Sequence, residues 1–229
     1  MTRPRIAILG RIAENTSVTR YDGIVTALRL AQAVWEAGGE PLTYLPVAGA
    51  ALSERLAGID GILMPGGGDV NPERYGQQPT TDRVYGVVDV QDQTDAEIFE
   101  YAVANAIPLL AICRGFQVIN VTRGGTLVQD MTLPHTHHVE TIDVLQPNLL
   151  GLVQNTVEAS CYHHQCVDKL GDGLEVVARA AAGHVEAFHV DAPAWTMGVQ
   201  WHPEDNFDTT RENLAIFEKL VAEASRPKG

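Results

Sequence analysis

Basic side chains are scarce in this chain. Its 16 lysines and arginines stand against 29 aspartates and glutamates, a formal net charge of −13. That balance excludes the clustered cationic surface that neutralises nucleic-acid phosphates. It leaves a small substrate open, since a pocket can be locally basic inside an acidic surface. Long apolar runs are lacking too. The N-terminal stretch MTRPRIAILGRIAEN carries two early arginines and a short apolar run, Ile6 to Leu9, too brief for a signal peptide or a membrane span. Cysteine is sparse and odd in number: Cys113, Cys161 and Cys166 form no disulfide framework, and a reducing, cytoplasmic setting with no membrane partner is expected. Polar low-complexity tracts and long Pro/Gly/Ser linkers are missing as well. With 229 residues, 45% of them hydrophobic, the expectation is one globular domain over residues 1–229.

What is present alternates. Ile6–Leu9 is a first strand, followed by a helix from about Tyr21 to Ala37 that Gly38-Gly39 closes. Leu42–Leu45 and Ile62–Met64 are short strands, Thr94–Asn105 a helix, and Pro108 opens a strand that ends at Cys113. Strands alternating with helices imply a mostly parallel sheet covered on both faces. The second half, Val139–Leu145, Val157–Cys161, Leu174–Ala178, Val185–Val190 and Thr196–Gln200, predicts strands with short links and an antiparallel extension of that sheet. Thr209–Ala224 predicts a closing amphipathic helix.

The stretch PLLAICRGFQVIN places a thiol at a strand-to-helix corner. Ala111-Ile112-Cys113-Arg114-Gly115 has the small-x-nucleophile-x-Gly form of a nucleophile elbow, whose tight turn needs small flanking residues. Such a turn exposes the sulfur at the carboxyl end of a strand, and the helix N-terminus favours the thiolate. A buried structural cysteine is the competing reading. A thiolate needs a base and a group to orient it. GVQWHPEDN supplies His202 after an apolar strand and Glu204 two residues on, giving a Cys-His-Glu order, although a loop histidine beside an exposed glutamate is the bland alternative. GILMPGGGDVNP runs a strand into Gly66-Gly67-Gly68, whose unobstructed N–H groups suit an oxyanion hole; the Gly-x-x-x-x-Gly-Lys pattern of a phosphate cradle is absent.

ICRGFQVINVTRGGTLVQD, DGILMPGGGDVNPERYG, YHHQCVDKLGDGLEVVARA and GVQWHPE together resemble the motifs of class I glutamine amidotransferase-like hydrolases. The Gly-Gly-Gly-Asp-Val-x-Pro loop and Tyr-His-His-Gln resemble the γ-glutamyl-γ-aminobutyrate hydrolase branch, peptidase family C26. The resemblance implies a flavodoxin-like sheet flanked by helices, no cofactor, and a small γ-glutamyl substrate whose amide is cleaved to glutamate and an amine. It implies Cys113 as nucleophile, His202 as general base and acid, and Glu204 as its orienting partner. It places the oxyanion hole at the N–H groups of Gly67 or Gly68 and of Arg114, and substrate contacts at Gln117, Tyr162 and His163. The branch suggests putrescine breakdown as a setting.

Two departures bear on specificity. Ala111 stands where the family usually has glycine, and the segment between Asp130 and His138 is short, MTLPHTH. His135, His137 and His138 with His163 and His164 invite a metal reading, but neighbouring histidines on a strand face opposite ways and no Cys-x-x-Cys pair joins them, so no metal is expected. Cys161 and Cys166 are expected to be packed thiols. The acidic run VVDVQDQTDAEIFE predicts a solvated helix entry, with a border on the active-site mouth as the alternative. Arg114 is either an anchor or a partner for a substrate carboxylate. The rival functions are a glutaminase subunit passing ammonia to a separate synthetase, and a silent binding module of the same fold. Self-association is left open.

Overall fold

The computed structural model describes residues 2–14, 20–49, 51–132 and 135–227, without the side chains of residues 135–137. The metal reading of His135 and His137, which needs their side chains, and residues 133–134 of the short 131–137 segment therefore lie outside what is described.

Strands β1 (Arg5–Leu9), β2 (Arg11–Ala13) and β3 (Gly23–Val25) precede helix α1 (Leu28–Glu36), and β4 (Glu40–Tyr44), α2 (Leu52–Arg55) and β5 (Gly61–Met64) follow. Next come α3 (Asp89–Ala104), β6 (Leu109–Ile112), α4 (Arg114–Thr122), β7 (Leu127–Val128), β8 (His135–Val144) and β9 (Thr156–His163). The chain closes with β10 (Cys166–Val167), β11 (Leu174–Arg179), β12 (Val185–Val190), β13 (Thr196–Val199) and α5 (Arg211–Ala224). The main sheet has nine strands in the order β4-β1-β5-β6-β13-β12-β11-β8-β9.

Every residue of β5, β6 and β13 is buried, as a sheet covered on both faces requires. Alternate residues feed two cores. Ile6, Ile8, Leu63, Leu110 and Ile112 pack with Leu30 and Val34 of α1 and Phe217 and Leu220 of α5. Ala7, Leu9, Ile62, Met64, Leu109 and Ala111 pack with Ile98, Phe99 and Ala102 of α3 and Phe116 and Ile119 of α4. The period-2 alternation thus places α1 and α5 on one face and α3 and α4 on the other.

Three elements differ from expectation. Strand β13 does not join the antiparallel extension: it runs parallel to β6, with Gly198 opposite Ala111 and Val199 opposite Ile112, while β12 pairs with it antiparallel. The antiparallel part is therefore β12, β11, β8 and β9. The helix expected from Tyr21 begins only at Leu28, because residues 23–25 pair with β2 instead. Helix α3 begins at Asp89, five residues before the expected Thr94, and its first turns are solvated on one side only: Asp89 is exposed, whereas Asp92 and Asp95 are buried.

Candidate active site

Cys113 sits between β6 and α4 with φ 52° and ψ −103°, a conformation that costs an L-residue on the order of 1–3 kcal/mol. The surroundings hold it there. Its N–H donates to the Val199 carbonyl at 2.8 Å, and its own carbonyl accepts from Gln117 N–H at 3.1 Å. Gly115 lies against β5 so closely that a Cβ would fall 2.5 Å from the Met64 carbonyl oxygen. Phe116 stacks on Phe188 at 4.3 Å between centroids. That pair covers Gly198, where a Cβ would meet Phe188 at 2.8 Å and Phe116 at 2.9 Å; aromatic stacking of this kind adds about 0.5–1.5 kcal/mol.

His202 follows β13, and its N–H donates to the Ser160 carbonyl at 2.8 Å. Its Nδ1 is 2.8 Å from Glu204 Oε1. Because Nδ1 donates to the carboxylate, Nε2 is left for the sulfur. Burial works against a charge on this ring, but the Cys113 sulfur and then Glu204 overcome it, and hydrogen bonding to both holds the imidazole well above its ordinary 6.5. Gly66 touches both groups: a Cβ there would lie 2.8 Å from His202 Cε1 and 3.7 Å from Cys113 Cβ.

The Gly-rich loop is glycine for three different neighbours. Gly66 faces His202 and Cys113. A Cβ at Gly67 would meet the side chains of Arg11 and Arg114, each at 3.0 Å, and one at Gly68 would lie 2.3 Å from the Gly86 carbonyl oxygen. Among the described residues no acceptor takes the backbone N–H of Gly67, Gly68 or Arg114. The Arg114 side chain is buried and binds Asp92 and Asp95, so it is an anchor and is not offered to a substrate carboxylate. Asp92 and Asp95 of the acidic run are its counterparts, while Asp89 and Glu100 of the same run are exposed.

A cavity of about 660 Å³ opens over the sulfur, lined by Gly67, Asp69, Cys113, Gln117, Tyr162 and His202 among others. All three residues expected to contact substrate line it. Gln117 also donates to Gln200 Oε1 at 3.2 Å. Tyr162 is half exposed and His163 buried. His163 and His164 do not face opposite ways as on a continuing strand: β9 ends at His163, and both line the cavity.

Sequence reasoning missed Asp69, Arg83, Tyr85 and Gln165, which also line the cavity. His164 bridges Asp69, at 3.1 Å from Nε2, and Asp130, at 3.4 Å from Nδ1; Arg83 reaches Asp130 at 3.1 Å. Burial raises the Asp69 carboxyl against the pull of the Tyr85 N–H and His164.

Cys161, His163 and Glu186 bring potential ligand atoms within 4.8 Å of one another. His163 Nδ1 donates to the Gln165 carbonyl at 2.9 Å, and Glu186 pairs with His184 at 2.9 Å. Burial pushes the Glu186 carboxyl and the Cys161 thiol up. Cys166 is a packed thiol pushed up by burial to about 11. All three cysteines are free.

A family model described as Peptidase C26 matches residues 4–204. The chain belongs to the Peptidase C26 family. A Mycobacterium tuberculosis protein named as a glutamine amidotransferase is 33% identical over 183 residues, covering 74% of this chain; the chain spans 57% of that relative's length. The γ-glutamyl-γ-aminobutyrate hydrolase PuuD of Escherichia coli is 30% identical over 220 residues, 82% of each chain. A solved structure described as a GMP synthase subunit from Thermoplasma acidophilum shares the fold, with a TM-score of 0.70 at 18% identity over 97% of this chain and 94% of that one. Among the described residues no helix is long and apolar enough to cross a membrane.

Proposed function

We propose that this Peptidase C26 member is a cysteine hydrolase of small γ-glutamyl amides, γ-glutamyl-γ-aminobutyrate being the candidate substrate, and that residues 1–229 act as one hydrolase domain. The observation that carries the reading is the strained Cys113 at the head of α4, which shares one cavity with an imidazole that Glu204 holds at 2.8 Å. The Cys113 sulfur and Glu204 favour the protonated form of the His202 ring. The sulfur attacks the γ-carbonyl, and the oxyanion forms against the N–H groups of Gly67 or Gly68 and Arg114. His202 gives its proton to the leaving amine, leaving glutamate as a thioester on Cys113. His202 then takes a proton from water, which adds to the thioester and releases glutamate.

Gln117, Tyr162 and His163, which line the cavity, would contact the γ-glutamyl group. A reducing, cytoplasmic setting suits a chain whose three cysteines are all free thiols, and the relative named as a γ-glutamyl-γ-aminobutyrate hydrolase supports a place in putrescine breakdown. No cofactor enters this chemistry.

The test is to trap the thioester. Acid-quenched mixtures with γ-glutamyl-γ-aminobutyrate should show a glutamyl adduct on the peptide carrying Cys113, absent in Cys113→Ser. An adduct elsewhere, or none while glutamate accumulates, would reject the covalent route. The fold shared with a GMP synthase component favours a second reading, a glutaminase that hands ammonia to a partner; glutamine hydrolysis that appears only when a synthetase is added would support it.

A further inference from the structure

We infer that Arg11 is the positioning residue of the oxyanion hole, and that Asp95 references the Gly-rich loop and the nucleophile's helix to one oxygen atom. The inference rests on the reading above that Gly67 and Arg114 supply oxyanion donors.

Arg11 opens β2 and belongs to none of the sequence motifs. Its guanidinium meets three acceptors: Nε donates to the Gly66 carbonyl at 2.7 Å, Nη2 to the Pro65 carbonyl, and Nη1 to Asp95 Oδ2 at 2.8 Å. The first two bonds aim the donors. A carbonyl and the next residue's N–H belong to one rigid plane and point in opposite directions. Holding the Gly66 oxygen therefore fixes the direction of the Gly67 N–H, and holding the Pro65 oxygen fixes that of Gly66. Glycine leaves these planes otherwise the least determined in the loop.

The third bond ties the loop to the elbow. Asp95 Oδ2 also accepts from Arg114 Nη1, and Arg114 Nη2 binds Asp92. Asp92 in turn accepts from the Asn71 N–H at 2.9 Å, beyond the other end of the glycines. Arg114 is the residue whose backbone N–H follows the nucleophile. The two halves of the hole, 47 residues apart in sequence at Gly67 and Arg114, thus share one carboxylate. Gly67 fits between the two arginine side chains, 3.0 Å from each if it carried a Cβ. Arg11 is not among the residues lining the cavity, and its side chain is 14% exposed, so it holds the loop and does not bind substrate. Only a planar fork reaches three acceptors in this way; a lysine ammonium can satisfy part of the set.

The experiment compares two reactions of Cys113 in the full chain, in Arg11→Gln and Arg11→Lys. Acylation by p-nitrophenyl acetate forms an S–C bond through a tetrahedral oxyanion and expels p-nitrophenolate, read as a burst. Alkylation by iodoacetamide displaces iodide and passes through no oxyanion. Cys113→Ala gives the background for both. Arg11→Gln should slow the burst on the order of 10²-fold while Cys113 alkylation stays within about two-fold, with Arg11→Lys between. An unchanged burst would overturn the inference, and so would burst and alkylation falling together, which marks general loosening. A wild-type chain that shows no burst would also overturn it. Because the ester carries no γ-glutamyl group, a persistent wild-type burst without glutamate release would reject the substrate assignment and leave the positioning role standing.

Discussion

The backbone N–H of Cys113 donates to the carbonyl of Val199 at 2.8 Å, and this bond joins the strand that delivers the sulfur to the strand that delivers the imidazole. His202 lies three residues past Val199. The site is therefore built where two adjacent parallel strands end, although 89 residues separate Cys113 from His202 along the chain. Open α/β sheets place their ligands at that edge for the same reason: strand ends and helix starts converge there.

The pH profile follows from the imidazole. With its pKa held well above 6.5 by Cys113 and Glu204, His202 should set an alkaline limb of kcat/KM well above 6.5. Glu204→Gln should move that limb to lower pH and cut kcat on the order of 10²- to 10⁴-fold. An unmoved limb would remove Glu204 from the orienting role.

The same shift has a stability sign. A pKa raised by folding stabilises fully below the unfolded value and loses that contribution as pH rises through the folded one. Wild-type Tm should decline through the alkaline limb, whereas Cys113→Ala, lacking the sulfur that helps raise the His202 pKa, should lose its share at lower pH. Thermal scans of both proteins across that range check this.

Glycine substitutions in the loop should separate. Gly68→Ala sets a methyl 2.3 Å from the Gly86 carbonyl oxygen, a backbone clash that should cost about 1–3 kcal/mol of stability. Gly66→Ala meets the His202 ring instead, so kcat should fall more than tenfold, about the rate effect of 1.4 kcal/mol, with Tm nearly unchanged. Equal Tm losses in the two variants would contradict this division.

Much of this was readable beforehand. Buried runs such as Leu109–Ile112 mark covered parallel strands, and Cys113, the glycines, His202 and Glu204 occur in an order that suggests a site. What stayed hidden was non-local. Asp92 and Asp95 look like ordinary acidic residues of a helix start, because one partner, Arg11, lies 84 residues away from Asp95. His164 and Asp69 are 95 residues apart. The parallel placement of β13 could not be told from its composition either, since Thr196–Val199 would suit any buried strand.

Ala111 offers a check on the departure from the family pattern. It sits between Met64 and Gly198 in register, and Gly198 already leaves the room that Phe116 and Phe188 fill. Ala111→Gly should therefore lose about 0.5–1 kcal/mol of stability without a gain in kcat. A several-fold rise in kcat would show that the methyl displaces the elbow.

The central claim is that Cys113 hydrolyses a γ-glutamyl amide without a partner, and glutamate release by the purified chain tests it most directly. With γ-glutamyl-γ-aminobutyrate and glutamine side by side, turnover of the conjugate should far exceed that of glutamine and vanish in Cys113→Ala. Silence on both substrates, or turnover that survives the substitution, would contradict it.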